Sequence, residues 1–132
     1  DVINENPDVM FFMGGINDIW QRKTENYEQN VKNIVEKAKK HNIKVILINL
    51  TIFEEDLNSD FNKDIEKCNQ FLSDYAKENK IQLIDVHSDL INELKKHDKK
   101  KGRILTVDGV HMNDSGNTIL ADKIVSEYLK SR

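Results

Sequence analysis

Apolar and polar residues follow two different spacings along the chain. Three short runs are almost entirely apolar, at residues 9–13, 43–50 and 81–86. Such runs are typical of strands covered on both faces. In four longer segments the apolar residues recur every three or four positions, at residues 25–40, 59–78, 89–97 and 115–130. That spacing predicts amphipathic helices between and after the strands.

The order of these elements predicts an α/β fold. Strands that alternate with helices form a parallel sheet with right-handed crossovers, flanked by helices. Residues 14–23 and 51–58 are then loops at the carboxyl end of the sheet, where open α/β sheets bind ligands. The chain has 132 residues, 38% of them hydrophobic, which suits one domain over residues 1–132.

Residue types at the segment ends and along the helices add detail to this prediction. Thr24 is a candidate cap for the first helix, and Asn42 can take the left-handed turn that ends it. Cys68 lies on an apolar stripe, which favours a buried, inert thiol. We expect inward faces formed by Tyr27, Val31, Ile34, Val35 and Ala38; by Phe61, Ile65, Cys68, Leu72, Tyr75 and Ala76; and by Ile119, Leu120, Ile124, Tyr128 and Leu129.

Composition excludes several classes of function. The 20 basic and 23 acidic residues are interspersed, so no basic face for nucleic acid is expected. The basic run at 95–101 is interpreted as a solvated helix end and loop. No apolar segment approaches the roughly 20 residues that span a bilayer. Asp85 and His87 flank a strand end, but two ligands do not complete a metal shell, so neither a metal nor a cofactor is expected.

One stretch near the carboxyl terminus has the composition of a catalytic loop. Asp108 and His111 are three residues apart with Gly109 between them. In a tight turn the carboxylate can bond one ring nitrogen, which leaves the other as the base of a nucleophile–His–Asp triad. The alternative is purely structural, with Asp108 as a turn residue and Asn113 or Ser115 as a helix cap.

A second stretch follows the first predicted strand. The run Val9–Met13 ends in Gly14-Gly15-Ile16-Asn17-Asp18, a strand followed by a tight turn. An Asn side chain at this position can donate to a developing oxyanion, although Gly and Asn are also ordinary turn residues. Trp20 is either a wall of a substrate pocket or an aromatic cover for the core. Ile52, Phe53 and Glu54, in the next loop, are further candidates for lining the site.

Together the two stretches resemble the SGNH (GDSL-type) hydrolase family. Gly15–Asp18 resembles its G-x-N-D block and Asp108–His111 its D-x-x-H block, with Asn113 and Gly116 also in the usual places. The resemblance implies a flavodoxin-like three-layer sandwich, of which these strands would be the third, fourth and fifth. We expect catalytic roles for His111, Asp108 and Asn17, and substrate contacts for Gly15, Asp18 and Trp20.

The resemblance also indicates what this chain lacks. The family's nucleophile lies in a G-D-S block upstream of G-x-N-D, and no serine here follows a Gly-Asp pair. The serines are Ser59, Ser73, Ser88, Ser115, Ser126 and Ser131. The chain therefore resembles the carboxyl-terminal part of such a hydrolase, and we expect it to be inactive alone. Strand 9–13 would be an exposed edge that pairs with a second copy or with a missing amino-terminal segment.

The implied activity is that of a serine esterase or acylhydrolase acting on small-molecule, lipid or carbohydrate esters. The sequence does not distinguish among these substrates, or between a cytoplasmic and a secreted location. One alternative is a non-catalytic binding or assembly module that retains the fold. Another is an unrelated flavodoxin-like phosphate or nucleotide binder, but Gly14-Gly15 lacks the following Lys-Ser/Thr of a phosphate loop.

Overall fold

Three parallel strands, paired in chain order, form the centre of the fold. The computed structural model describes residues 2–97 and 102–131. The strands are β1 (Val9–Phe12), β2 (Lys44–Ile48) and β3 (Gln82–Ile84). β2 pairs with β1 on one side and with β3 on the other. Both β1 and β3 are therefore edge strands of the described sheet.

Helices cover both faces of this sheet, which confirms the α/β class. After a 3₁₀ turn at Val2–Glu5, the helices are α1 (Ile16–Trp20), α2 (Tyr27–Lys40), α3 (Asp60–Glu78), α4 (Val86–Leu94) and α5 (Asp114–Lys130). The inward residues of α2 and α3 form one hydrophobic cluster with part of the sheet. Those of α4 and α5 form a second cluster on the opposite face.

β2 contributes to both clusters because successive side chains of a strand point to opposite faces. Val45 and Leu47 belong to the α2–α3 cluster, and Ile46 and Ile48 to the α4–α5 cluster. All four side chains are buried. This explains why β2 is continuously apolar rather than alternating, as the sequence predicted.

Several helix ends can be compared with the sequence prediction. α4 begins at Val86 instead of residue 89, because the Asp85 carboxylate accepts the Ser88 backbone N–H at 3.0 Å and caps the helix. The residue before α2 is Asn26, not Thr24. α3 begins directly after Ser59, whose side chain caps it. The left-handed turn predicted at Asn42 is confirmed by its φ of 59°.

The predicted loop at 14–23 and two predicted core residues need correction. α1 occupies Ile16–Trp20, a single short helix with too few residues to show a periodic pattern. The helical spacing predicts that Ile34 and Leu129 face inward, but both are exposed. The buried faces of α2 and α5 are therefore narrower than the apolar residues of these helices predict.

Two composition-based predictions can be located in the structure. Cys68 is buried, and burial raises the pKa of its thiol to about 11, which confirms an inert position. Of the basic run, 95–97 is exposed and 98–101 lies outside the described residues.

Within the described ranges, no helix is both long and apolar enough to cross a membrane. No cluster of three or more His, Cys, Asp or Glu in those ranges is arranged to hold a metal ion.

Gly116 marks the closest approach between α5 and the segment before it. A Cβ here would collide with the backbone oxygen of Leu105 and lie 2.9 Å from the Met112 sulfur. Gly116→Ala should therefore destabilise the chain by about 1–3 kcal/mol, the usual cost of overpacking. Urea unfolding measures this, with the exposed Ser115→Ala as a control expected within about 0.5 kcal/mol of wild type. Equal unfolding free energies for the two variants would contradict this helix placement.

Candidate active site

Residues 104–113 form a small closed loop before α5. Thr106 and Met112 pair as an isolated antiparallel bridge. The Val107 N–H donates to the His111 carbonyl at 2.8 Å, and the Asn113 N–H donates to the Leu105 carbonyl at 2.9 Å. These bonds bring the two ends of the loop together, so that 107–111 project as its tip.

Within this tip, the Asp108 carboxylate and the His111 imidazole form a hydrogen-bonded pair. One carboxylate oxygen accepts the backbone N–H groups of Val110 at 2.9 Å and of His111 at 2.8 Å. The other lies 2.7 Å from the His111 Nδ1. The His111 backbone N–H, its ring and the Val110 N–H together hold the pKa of Asp108 well below its usual range. The carboxylate thus both shapes the turn and orients the ring.

This pairing determines which ring nitrogen can act as a base. An ionised carboxylate only accepts hydrogen bonds, so in the neutral ring Nδ1 carries the proton and Nε2 carries the free lone pair. The His111 side chain is 81% exposed. In the described ranges no serine hydroxyl hydrogen-bonds to it. Ser59 caps α3, for example, and Ser88 donates to Asp85. The pair has the hydrogen-bonding arrangement of the His–Asp part of a triad, and no described serine is hydrogen-bonded to its imidazole.

The turn after β1 holds the other candidate residues. Gly15 has a φ of 126°, and a Cβ there would collide with the Tyr27 ring, so both the backbone and the space require glycine. Asn17 lies in the first turn of α1, exposed, and its side chain makes no hydrogen bond to any described residue. Trp20 is 63% exposed, so it does not cover the core.

An open groove of about 360 Å³ adjoins this turn, between the end of β1 and α2. Its lining is Phe12, Gly14, Gly15, Asp18, Tyr27, Asn30, Val31, Asn33 and Ile34. Two of the expected substrate-contact residues, Gly15 and Asp18, therefore line it, whereas Trp20, Asp108 and His111 do not. The Tyr27 hydroxyl is buried without a hydrogen-bond partner among the described residues.

The loop after β2 connects the His111 segment to the carboxyl edge of the sheet. The Glu54 backbone N–H donates to the Gly109 carbonyl at 2.7 Å. Val110 packs against the same hydrophobic cluster as Ile16, from the turn after β1. Ile52 and Phe53 are buried in the core and do not line the site, which corrects that expectation. The two motif-bearing segments thus lie at the same end of the sheet.

Sequence reasoning missed the residues that hold this loop. The Glu55 carboxylate accepts hydrogen bonds from residues 104–106. Asn62 is buried in α3 and bonds the backbone of Phe53. The Asn69 side chain accepts the Leu50 backbone N–H at 2.7 Å and donates to the Leu50 carbonyl at 3.0 Å. A buried asparagine on an amphipathic helix was the one available signal, since such a side chain must find polar partners.

A protein-family model matches a region of the chain that includes both motif-bearing turns. The model of the GDSL-like lipase/acylhydrolase family matches residues 1–119. The chain belongs to this family. The resemblance noted from Gly15–Asp18 and Asp108–His111 is thereby confirmed. The first of these turns follows β1, and the second lies in the loop before α5.

Solved structures share both the fold and part of the sequence of this GDSL-like chain. An acetyl xylan esterase, AlAXEase, is 31% identical and superposes with a TM-score of 0.86 over 96% of this chain and 70% of its own. A GDSL-like lipase from Bacteroides thetaiotaomicron is 26% identical, with a TM-score of 0.80 over 100% of this chain and 67% of its own. These likenesses confirm the parallel sheet flanked by helices.

A curated protein also matches this GDSL-like chain. The N-acylneuraminate cytidylyltransferase of Streptococcus agalactiae serotype V is 32% identical over 109 residues. The match covers 80% of this chain but only 24% of the cytidylyltransferase. The chain thus spans about a quarter of the length of this relative.

Proposed function

We propose that this chain carries the His–Asp base and one oxyanion donor of a serine ester hydrolase whose nucleophile lies outside the 132 residues. The 2.7 Å contact between Asp108 and the His111 Nδ1 carries this proposal. It is supported by family membership and by likeness to an esterase that is 31% identical. We place the nucleophile outside these residues because no described serine is hydrogen-bonded to His111.

In the proposed reaction, His111 moves protons and Asp108 keeps its ring in the productive tautomer. The serine oxygen attacks the acyl carbon of the ester while its proton passes to the His111 Nε2. The tetrahedral oxyanion accepts a hydrogen bond from the Asn17 side-chain amide. Collapse expels the alcohol, which takes the proton from Nε2, and leaves an acyl-enzyme. Water then attacks the acyl-enzyme, with His111 again accepting and returning the proton, and the carboxylic acid leaves.

For the substrate, we propose a small acyl ester of a carbohydrate. AlAXEase is named as an acetyl xylan esterase, and the S. agalactiae relative is named for an acylated sugar. The groove beside Gly15 and Asp18 is small and open, and its lining mixes apolar and amide side chains. Such a lining suits a sugar ring better than a long acyl chain, which would need an extended apolar channel.

If the nucleophile lies outside the 132 residues, this chain alone should not catalyse ester hydrolysis. We expect the purified chain to hydrolyse acetylated xylan no faster than its His111→Ala variant, because a base without a nucleophile leaves at most a residual effect. The complete product of its gene should hydrolyse acetylated xylan. His111-dependent hydrolysis of acetylated xylan by the chain alone would show that the nucleophile is internal. A complete gene product without esterase activity would favour the non-catalytic module instead.

We propose in addition that the free edge of β1 pairs with another polypeptide, either a second copy or an additional segment of the same protein. Within the described sheet β1 bonds only β2, and its Phe11 side chain is 41% exposed although it meets the Tyr128 ring edge-on at 5.2 Å between centroids. Unpaired backbone groups and an apolar side chain favour strand addition. Light scattering of the isolated chain should give a dimer or larger species, and Phe11→Lys should reduce its mass. A clean wild-type monomer at high concentration would argue against pairing at this edge.

A further inference from the structure

One carboxylate fixes the segment that leads into the His111 loop. The Glu55 Oε1 accepts the backbone N–H groups of Leu105 at 2.8 Å and Thr106 at 2.7 Å, and the Thr106 hydroxyl at 2.7 Å. Its Oε2 accepts the Ile104 N–H at 2.7 Å. Charge-assisted bonds of this kind are about twice as strong as neutral ones. Residues 104–106 belong to no helix or strand, so Glu55 takes the place of a ladder partner for three consecutive N–H groups.

The backbone that presents this carboxylate has an uncommon conformation. Glu54 and Glu55 have φ values of 62° and 55°, so two consecutive residues with side chains lie in the left-handed region. This region is unfavourable for residues with a Cβ, which occupy it only where their surroundings hold them in place. The conformation serves two contacts: the Glu54 N–H reaches the Gly109 carbonyl, and the Glu55 carboxylate reaches residues 104–106.

A side chain of α3 bonds the backbone on both sides of this turn. The buried Asn62 side chain accepts the Phe53 N–H at 2.9 Å and donates to the carbonyls of Phe53 at 2.6 Å and Asp56 at 2.7 Å. These bonds fix the backbone on both sides of residues 54 and 55. The turn is therefore anchored to a 19-residue helix as well as to the His111 loop.

The segment that Glu55 bonds is itself hydrogen-bonded to the His111 loop. Thr106, which Glu55 holds, forms the bridge with Met112, and the next residue, Val107, donates to the His111 carbonyl. We propose that Glu55 is a positioning residue: it sets the register of the 104–106 stem and thereby the geometry of the Asp108–His111 pair. Its effect on turnover depends on the hydrolase function proposed above, whereas its effect on the His111 loop does not.

The bonds of Glu55 are also reflected in its titration. Burial alone would raise the pKa of Glu55, but the Thr106 hydroxyl and the three backbone N–H groups outweigh it and hold the pKa below its ordinary value. A carboxyl group with a depressed folded-state pKa stabilises the fold above its unfolded pKa and loses that effect as the pH falls through the folded value. The carboxylate is therefore ionised at neutral pH, where it acts on the stem.

The test compares Glu55→Gln with Asp56→Asn, which removes an exposed carboxylate one residue away whose hydrogen bond goes to the Asn58 N–H and not to residues 104–106. In the 132-residue chain, amide hydrogen exchange at 104–106 should accelerate about tenfold or more in Glu55→Gln, the equivalent of one charge-assisted bond. The ring-nitrogen NMR signals of His111 should shift toward a mixture of tautomers. Asp56→Asn should match wild type within about twofold in exchange and leave the His111 signals unchanged. Exchange rates and His111 signals unchanged in Glu55→Gln would overturn the proposal.

Two further arms keep the result decisive. If Glu55→Gln fails to fold, Thr106→Val removes only the hydroxyl bond, and it should still accelerate exchange at 105 and 106 about threefold or more; no acceleration would overturn the proposal. In the complete gene product, Glu55→Gln should lower kcat about tenfold or more with KM unchanged. If the gene product has no esterase activity at all, the hydrolase proposal fails, and the exchange and NMR arms still decide the role of Glu55.

Discussion

Replacing Asp108 by asparagine should lower the kcat of the proposed ester hydrolase about 10⁴-fold, the effect usual for this change in a Ser-His-Asp triad. The substitution leaves the turn intact, because the carbonyl oxygen of the new side-chain amide can still accept the two backbone N–H groups that the Asp108 Oδ1 accepts. The amide nitrogen, however, would face the His111 Nδ1 as a donor. The ring would then carry its proton on Nε2, where it cannot accept one from the nucleophile.

Steady-state kinetics and ring-nitrogen NMR measure the two parts of this expectation. KM and the unfolding midpoint should stay near wild type, while the His111 signals change to the other tautomer. Asp122→Asn is a matched control: it removes an exposed carboxylate from α5 and should leave kcat within about twofold. A kcat loss below about tenfold in Asp108→Asn would mean that Asp108 only shapes the turn.

Replacing Asn17 by alanine should lower kcat about 10²–10³-fold, the usual cost of removing one oxyanion donor. KM should change little, because the amide is proposed to bond the tetrahedral intermediate more strongly than the ground-state ester. The folded chain should be unaffected, since the exposed side chain makes no hydrogen bond to any described residue. An effect on kcat without an effect on stability separates a chemical role from a structural one.

The matched variants for Asn17 sharpen this expectation. Asn17→Asp should be worse than Asn17→Ala, because it places a carboxylate where negative charge develops. Asn92→Ala, which alters an exposed asparagine on α4, should have wild-type kinetics. Unchanged kcat in Asn17→Ala of the complete protein would remove Asn17 from the proposed oxyanion site, whatever the family block suggests.

The fold could be predicted largely because its signals are local. The buried run at Val45–Ile48 indicates a strand covered on both faces, and Ser59 and Asn42 mark where helices begin and end. The Asp108–His111 pair was predictable for the same reason, since its partners are three residues apart. The start of α4 was not, because Asp85 follows an apolar run that indicates a strand, whereas its carboxylate caps the helix.

The supports of the site could not be predicted, because their partners are distant in sequence. Glu55 bonds residues 49 to 51 positions away, and nothing in its own neighbourhood distinguishes it from Glu54 or Asp56. Asn69 bonds a residue 19 positions away. The roles assigned to Asn17, Gly15, Asp18 and Trp20 stay predictions, which the kinetic variants test.

The central strand has a consequence for how this protein denatures. Because Val45 and Leu47 belong to one cluster and Ile46 and Ile48 to the other, displacement of this strand exposes both halves of the interior at once. Neither helical layer can keep its apolar contacts after the other has melted. We therefore expect the described domain to unfold in a single cooperative step, with coincident transitions by different probes.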